Sequence, residues 1–172
     1  IGTATSIYLN KDKNNFKSVG KQYGNIKIKI LSDKKEFLPK KRIGEILCKT
    51  PFIFSEYYKM KKETKDSFYK DYFRTGDIGY LSKNNYLYYL GRKKNIIKVS
   101  GNMIYAEDVE NIIMKNKNIL EAIVLGISDK NGFEKIILCV TLKKKNYSKE
   151  NLFDYCHKNL TSFQQPTNIF FL

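Results

Sequence analysis

One stretch, Tyr72 to Glu110, constrains the whole chain: YFRTGDIGYLSKNNYLYYLGRKKNIIKVSGNMIYAEDVE. Two glycine-punctuated turns, Thr75-Gly76-Asp77 and Gly91-Arg92-Lys93-Lys94, bracket an aromatic strand. A third, Val99-Ser100-Gly101-Asn102, precedes a helix. Residues on the N-terminal side read as support for the first turn, and those on the C-terminal side as a small domain hung on the second.

The flanking segments predict an α+β fold. Ile26, Ile28 and Ile30 alternate with Lys27 and Lys29, the pattern of a half-buried strand. Ser32 to Lys35 reads as a turn, Ile43 to Cys48 as a second strand, and Pro51 to Tyr58 as packed loop or short strand. Glu63 to Tyr69 reads as a short helical turn carrying Phe68. Ile78 to Leu81 and Tyr86 to Leu90 form a hairpin through Lys83-Asn84-Asn85, where Asn tolerates left-handed backbone, and Gly91 breaks the second strand. Beyond Lys94, Asn95 to Val99 is a short strand and Ala106 to Asn116 a helix with Val109, Ile112 and Ile113 on one apolar stripe. Leu120 to Ile127 and Glu134 to Leu142 are strands. Ser148 caps a second helix running to about Leu160, Pro166 stops it, and Ile169 to Leu172 is extended. The boundary falls near Gly91–Lys94, giving units over 1–91 and 92–172.

The formal net charge of +15 raises a nucleic-acid reading. Against it, the lysines are spread along the chain, Lys143-Lys144-Lys145 reads as a solvated strand end, and Arg42, Arg74 and Arg92 are the only arginines. Base readers favour Arg for its bidentate fork. Two of the three arginines fall in the central stretch, where a planar set of donors has a use. Cys48, Cys139 and Cys156 are odd in number, lack CxxC spacing, and fit a reducing cytoplasm better than a disulfide framework or zinc site. His157, the single histidine, falls on a surface helix. No apolar run approaches a membrane span. The chain opens on Ile1 without a signal-peptide pattern, so a piece of a longer protein is expected.

Asp77 suits a vicinal diol, whose hydroxyls donate to a carboxylate, or it merely caps a turn. Arg92 suits a phosphate, a ribose or a surface acid. Gly101 permits close backbone approach to a ligand or only a tight turn. The order and spacing of these residues carry more than any one of them.

Taken together, Tyr72 to Asp77 (Y-x-R-T-G-D) and Gly91 to Glu110 (G-R-x-[DK]-x-x-I-K-x-x-G-x-x-[IV]-x-x-x-E-[IV]-E) resemble the adenylate-forming superfamily. That superfamily contains acyl- and aryl-CoA synthetases, firefly luciferase and peptide-synthetase adenylation domains. Ser18 to Lys21, Ile43 to Ile46 and Tyr57-Tyr58…Thr64 match more weakly. The resemblance implies the β-rich end of a large N-terminal domain followed by a small mobile α+β C-terminal domain. It implies an enzyme that activates a carboxylic acid with ATP and Mg2+ to an acyl-adenylate, then passes the acyl group to the thiol of CoA or of a carrier-protein phosphopantetheine.

By the same resemblance Asp77 binds the ribose hydroxyls of ATP or AMP, and Arg92 also reaches the nucleotide. Lys94 is the hinge. Lys98 to Gly101 form the loop that swings in for thioester formation. Glu107 and Glu110 are structural. The loop around Asn102-Met103 resembles the CoA-ligase branch, with a carrier-loading adenylation domain as the alternative. A basic nucleic-acid module and an inactive scaffold are rivals from other classes.

Departures from the pattern are Thr5 where Glu is usual, Ala106 where Pro is usual and Glu56 where Gly is usual. The phosphate loop and its magnesium are expected upstream of Ile1, and the terminal catalytic lysine beyond Leu172. On this reading the 172-residue chain alone does not adenylate.

Overall fold

The computed structural model describes residues 5–6, 15, 17–143 and 147–172. The chain divides into two compact units, Ile1–Lys93 and Lys94–Leu172. Each mixes strand and helix, so the expected α+β class holds.

In the first unit the described strands are β1 (Thr5–Ser6), β2 (Gly20–Gln22), β3 (Lys27–Leu31), β4 (Gly44–Lys49), β5 (Phe68–Tyr69), β6 (Tyr72–Leu81) and β7 (Tyr86–Arg92). They form one sheet in the order β1-β2-β7-β6-β4-β3, with β5 added on β6 and every pairing antiparallel. The alternation in β3 works as its sequence predicts. Ile28 and Ile30 are buried, and pack with Ile46 and Leu87, while Lys27 and Lys29 face solvent. Leu31, Leu47 and Tyr72 form a second buried group. Asn85 closes the β6–β7 hairpin at φ +64, the left-handed backbone that Asn adopts cheaply.

Four expectations need correction. The helical turn, α1 (Lys61–Asp66), stops before Phe68, which lies on β5 and packs edge-to-face on Phe73 and Phe54. Aromatic pairing across strands outweighs extending a short lysine-rich helix that buries nothing. Gly91 does not break β7. It is buried within the strand, opposite Ile78, and pairing continues through Arg92. Thr75-Gly76-Asp77 is not a turn at a strand start but an irregularity inside the ten-residue β6. A strand absent from the sequence reading, β9 (Asn102–Tyr105), separates Gly101 from the following helix.

In the second unit β8 (Ile96–Val99) and β9 make a hairpin. They lead into α2 (Ala106–Ile113), β10 (Ile119–Ser128), β11 (Glu134–Leu142), α3 (Lys149–Asn159) and β12 (Asn168–Phe171). β10 pairs antiparallel with β11, and β12 joins β11 in parallel. A parallel neighbour requires a long crossover, which α3 provides. Ser148 caps α3 by accepting from the Asn151 amide at 3.2 Å. Asp108 and Glu107 stand in the first turn of α2, favourable for the helix dipole. The core is continuous: Ile97, Val109, Ile113, Leu138, Leu152 and Ile169 are each at most 2% exposed. Burying a side chain of this size stabilises by about 1.5–3 kcal/mol.

His157 lies exposed on α3. Cys48 and Cys156 are buried and Cys139 half-buried, and all three are free thiols. Burial pushes Cys156 up to about 11 and raises Cys48 as well, so both are neutral, unreactive thiols at pH 7. Of the lysine run, Lys143 is exposed, and Lys144 and Lys145 lie outside the described residues. No described helix is long and apolar enough to cross a membrane.

Candidate nucleotide site and thioester loop

β6 and β4 pair with an interruption. Glu45 stands opposite Ile78 and Leu47 opposite Arg74. The three residues Thr75, Gly76 and Asp77 therefore span the distance that Ile46 alone spans on β4. Such a bulge bends the strand and turns a side chain out of the ladder. Thr75 fastens it from both sides. Its Oγ1 donates to the Ile46 carbonyl at 2.8 Å and accepts from the Asp77 amide at 3.0 Å. Gly76 sits at φ +72, where a β-carbon is strained, and the nearest atom to one would be Arg92 Nη1 at 4.0 Å. Glycine is required here for its backbone, not for space.

On the other side of β6, Asp77 faces Arg92 and Ile78 faces Gly91 directly, before the β6–β7 register shifts between Ile78 and Gly79. Arg92 Nη1 lies 3.0 Å from Asp77 Oδ1 and donates to the Thr75 carbonyl at 3.0 Å. Asp77 is 27% exposed and Arg92 51%. A pair this open contributes only about 0.2–1 kcal/mol, so a ligand can exchange with either partner at small cost. Bulge and register thus bring together two residues fifteen apart in sequence, Asp77 and Arg92. The carboxylate accepts hydrogen bonds, and the guanidinium beside it presents a fork of donors. This fits a ribose diol next to a phosphate. Among the described residues no cluster of three or more His, Cys, Asp or Glu side chains is placed to hold a metal ion.

A second charged group lies behind the bulge and was not legible in the sequence. Glu45, only 4% exposed, takes Arg74 in a fork: Nε donates to Oε1 at 3.2 Å and Nη2 to Oε2 at 2.8 Å. Lys93 Nζ donates to the same Oε2 at 3.3 Å and to Asp33 Oδ1 at 3.2 Å. Burial is the largest single influence on Glu45 and works to raise its pKa. Arg74, then Lys93, together outweigh it and hold the carboxyl below the ordinary glutamate range. The partners are 29 and 48 residues apart in sequence, a separation that no local pattern reports. Arg74 and Arg92 are thus both turned to partners within their own unit.

Thr5 pairs with Gln22, and its hydroxyl donates to the Val19 carbonyl. The rest of the IGTATS element before it, residues 1–4, lies outside the described residues.

Lys94 is exposed in the short 3-10 turn Lys93–Asn95, and is the first residue of the second unit. Lys98 and Gly101 lie on the β8–β9 hairpin. Val99 pairs with Asn102, leaving a two-residue loop, Ser100 at φ +47 and Gly101 at φ +82. Positive φ at both central residues matches the twist of a two-residue hairpin. The hairpin tip is exposed, while Ile97 anchors its base in the core. The Lys98 amide donates to Glu134 Oε2. Glu110 accepts from the Val124 amide at 2.9 Å and Glu107 from Asn95 Nδ2 at 3.0 Å, so both acids act within the fold.

Residues 108–172 match the AMP-binding enzyme C-terminal domain. The chain is 33% identical over 155 residues to 2-succinylbenzoate–CoA ligase of Bacillus licheniformis, covering 90% of this chain and 32% of that protein. It is 30% identical over 171 residues to oxalate–CoA ligase of Saccharomyces cerevisiae, covering 98% and 31%. The structure of o-succinylbenzoate CoA synthetase from Bacillus subtilis, in complex with its acyl-adenylate intermediate, superposes with a TM-score of 0.90 at 28% identity. That alignment covers 99% of this chain and 35% of the other. The chain spans about a third of the length of the curated relatives it matches. It belongs to the adenylate-forming superfamily of AMP-forming ligases.

Proposed function

We propose that this chain supplies the ribose-binding carboxylate and the mobile thioester-forming unit of an ATP-dependent carboxylic acid:CoA ligase. The observation that carries the reading is the bulged Asp77 held opposite Arg92. The names of its relatives support the reaction class.

In the first half-reaction a substrate carboxylate oxygen attacks the α-phosphorus of ATP, forming an acyl-adenylate as pyrophosphate leaves. Asp77 accepts from the ribose hydroxyls and thereby fixes the adenylate relative to the acid. Arg92 releases Asp77 and donates to the nucleotide. In the second half-reaction a thiol attacks the acyl carbonyl and AMP leaves. Rotation at Lys94 brings the β8–β9 hairpin to the site, where the Lys98 to Gly101 backbone lines the thiol's path. A turn built on Gly101, with no side chain at its tip, lets a narrow pantetheine arm pass close to the backbone. The acceptor is CoA, and the free buried thiols suit a reducing cytoplasmic setting.

The test is acid-dependent ATP–pyrophosphate exchange by the full-length protein, with thioester formation followed in parallel over fatty, aryl and amino acids. Exchange and CoA-thioester formation, both crippled by Asp77→Ala, are the expected result. Exchange without transfer to CoA would replace CoA by a carrier-protein acceptor, and no exchange with any acid would favour an inactive scaffold.

A further inference from the structure

Arg92 and Lys93 are neighbours with opposite errands. Arg92 ends the β6–β7 ladder against Asp77. Lys93 has left the ladder, yet its ammonium reaches back and bridges Asp33 and Glu45. Glu45 is the anchor: it is buried on β4 and already held by the Arg74 fork. The first compact unit ends at Lys93 itself, and Lys94 is exposed. The last residue of the unit is therefore tied to its interior by a side chain, and the chain beyond it is not part of that tie.

We infer that Glu45 and Lys93 form a latch that ends the rigid first unit at residue 93 and confines the pivot to Lys94. The inference rests on the hinge reading given above. Without the latch, the 3-10 turn would be held on the first unit's side only by the half-exposed Arg92–Asp77 pair and by Asp33, itself 82% exposed, and is free to fray back into β7. The pivot would then spread over Gly91 to Lys94, and the second unit would swing about a less defined axis. Lys93 is thus a positioning residue. It touches neither nucleotide nor thiol and acts through the place where the backbone turns.

Hydrogen exchange on the whole chain tests the latch without any substrate. In Lys93→Met, amides of residues 91–93 are expected to exchange about threefold to tenfold faster, while those of Tyr86 and Leu87 in the same strand keep their rates. Lys93→Arg should restore protection. Unchanged exchange at 91–93, or an equal rise along all of β7, overturns the latch. In the full-length protein, Lys93→Met should lower the ratio of thioester formation to pyrophosphate exchange by about twofold to fivefold. A local exchange effect with an unmoved ratio also overturns the proposed role in the pivot. The two readings fail separately: a protein with no exchange activity but a measurable latch refutes the ligase, and an active ligase without the latch refutes this inference.

Discussion

The two functional segments are built in opposite ways. The Asp77 bulge is tied down on every side: by Thr75 to β4, by register to Arg92, and by Arg74 to the buried Glu45 behind it. The β8–β9 hairpin has an anchored base at Ile97 and an exposed tip of two residues at positive φ. The first is a site whose geometry is set before a ligand arrives. The second is a finger whose own shape is fixed locally and whose position depends on what carries it. On the proposed function, preorganisation suits a residue that holds a ribose in one place, and local rigidity on a movable unit suits a loop needed for only one of two steps.

The sharpest way to break the comparison is Asp77→Ala. Two charge-assisted hydrogen bonds of about 1.5–3 kcal/mol each are removed, so pyrophosphate exchange by the full-length protein should fall by about a hundredfold or more. Melting should move far less, because the Asp77–Arg92 pair is half exposed. A fall below tenfold would mean that Asp77 does not hold the ribose.

Next in size is Glu45→Ala. It leaves Arg74 and Lys93 facing a buried hole and should destabilise the first unit by about 1–3 kcal/mol, discounted because Arg74 is 34% exposed. Urea denaturation followed through the tyrosines measures it. The same residue predicts a pH dependence. Its folded pKa is depressed, so its stabilisation is present above the unfolded glutamate range and is lost as pH falls through the lower folded value. Wild type should lose stability below about pH 4.5 more steeply than Glu45→Gln, compared by thermal melting at stepped pH.

The smallest effect belongs to the finger. Gly101→Ala meets nothing within 4 Å but must hold φ +82, costing about 1 kcal/mol. Pyrophosphate exchange should be retained while thioester formation slows, measured side by side on the same preparation. If both half-reactions fall equally, the division of labour between bulge and hairpin is wrong.

Much of the fold was legible because the signals are local. Alternation of Ile and Lys set β3, an apolar stripe set α2, Ser148 capped α3, and Asn85 marked the hairpin. What was misread depended on a partner strand. Thr75-Gly76-Asp77 has the composition of a turn, and it becomes a bulge only because β4 offers one residue opposite three. Gly91 has the look of a strand breaker until Ile78 pairs with it. Asn102 to Tyr105 lacks clean alternation and is a strand because β8 folds back on it.

By itself, then, the sequence determined the elements with their own period or cap, the two glycine-marked segments, and the superfamily. These depend on contacts within a few residues or on a motif read in order. The tertiary structure alone decided that Asp77 faces Arg92 across a ladder and that Glu45 gathers Arg74 and Lys93. Those outcomes depend on strand register and on ion pairs closing 29- and 48-residue separations. A side chain's partner at that distance is chosen by how the sheet assembles, not by the residues beside it.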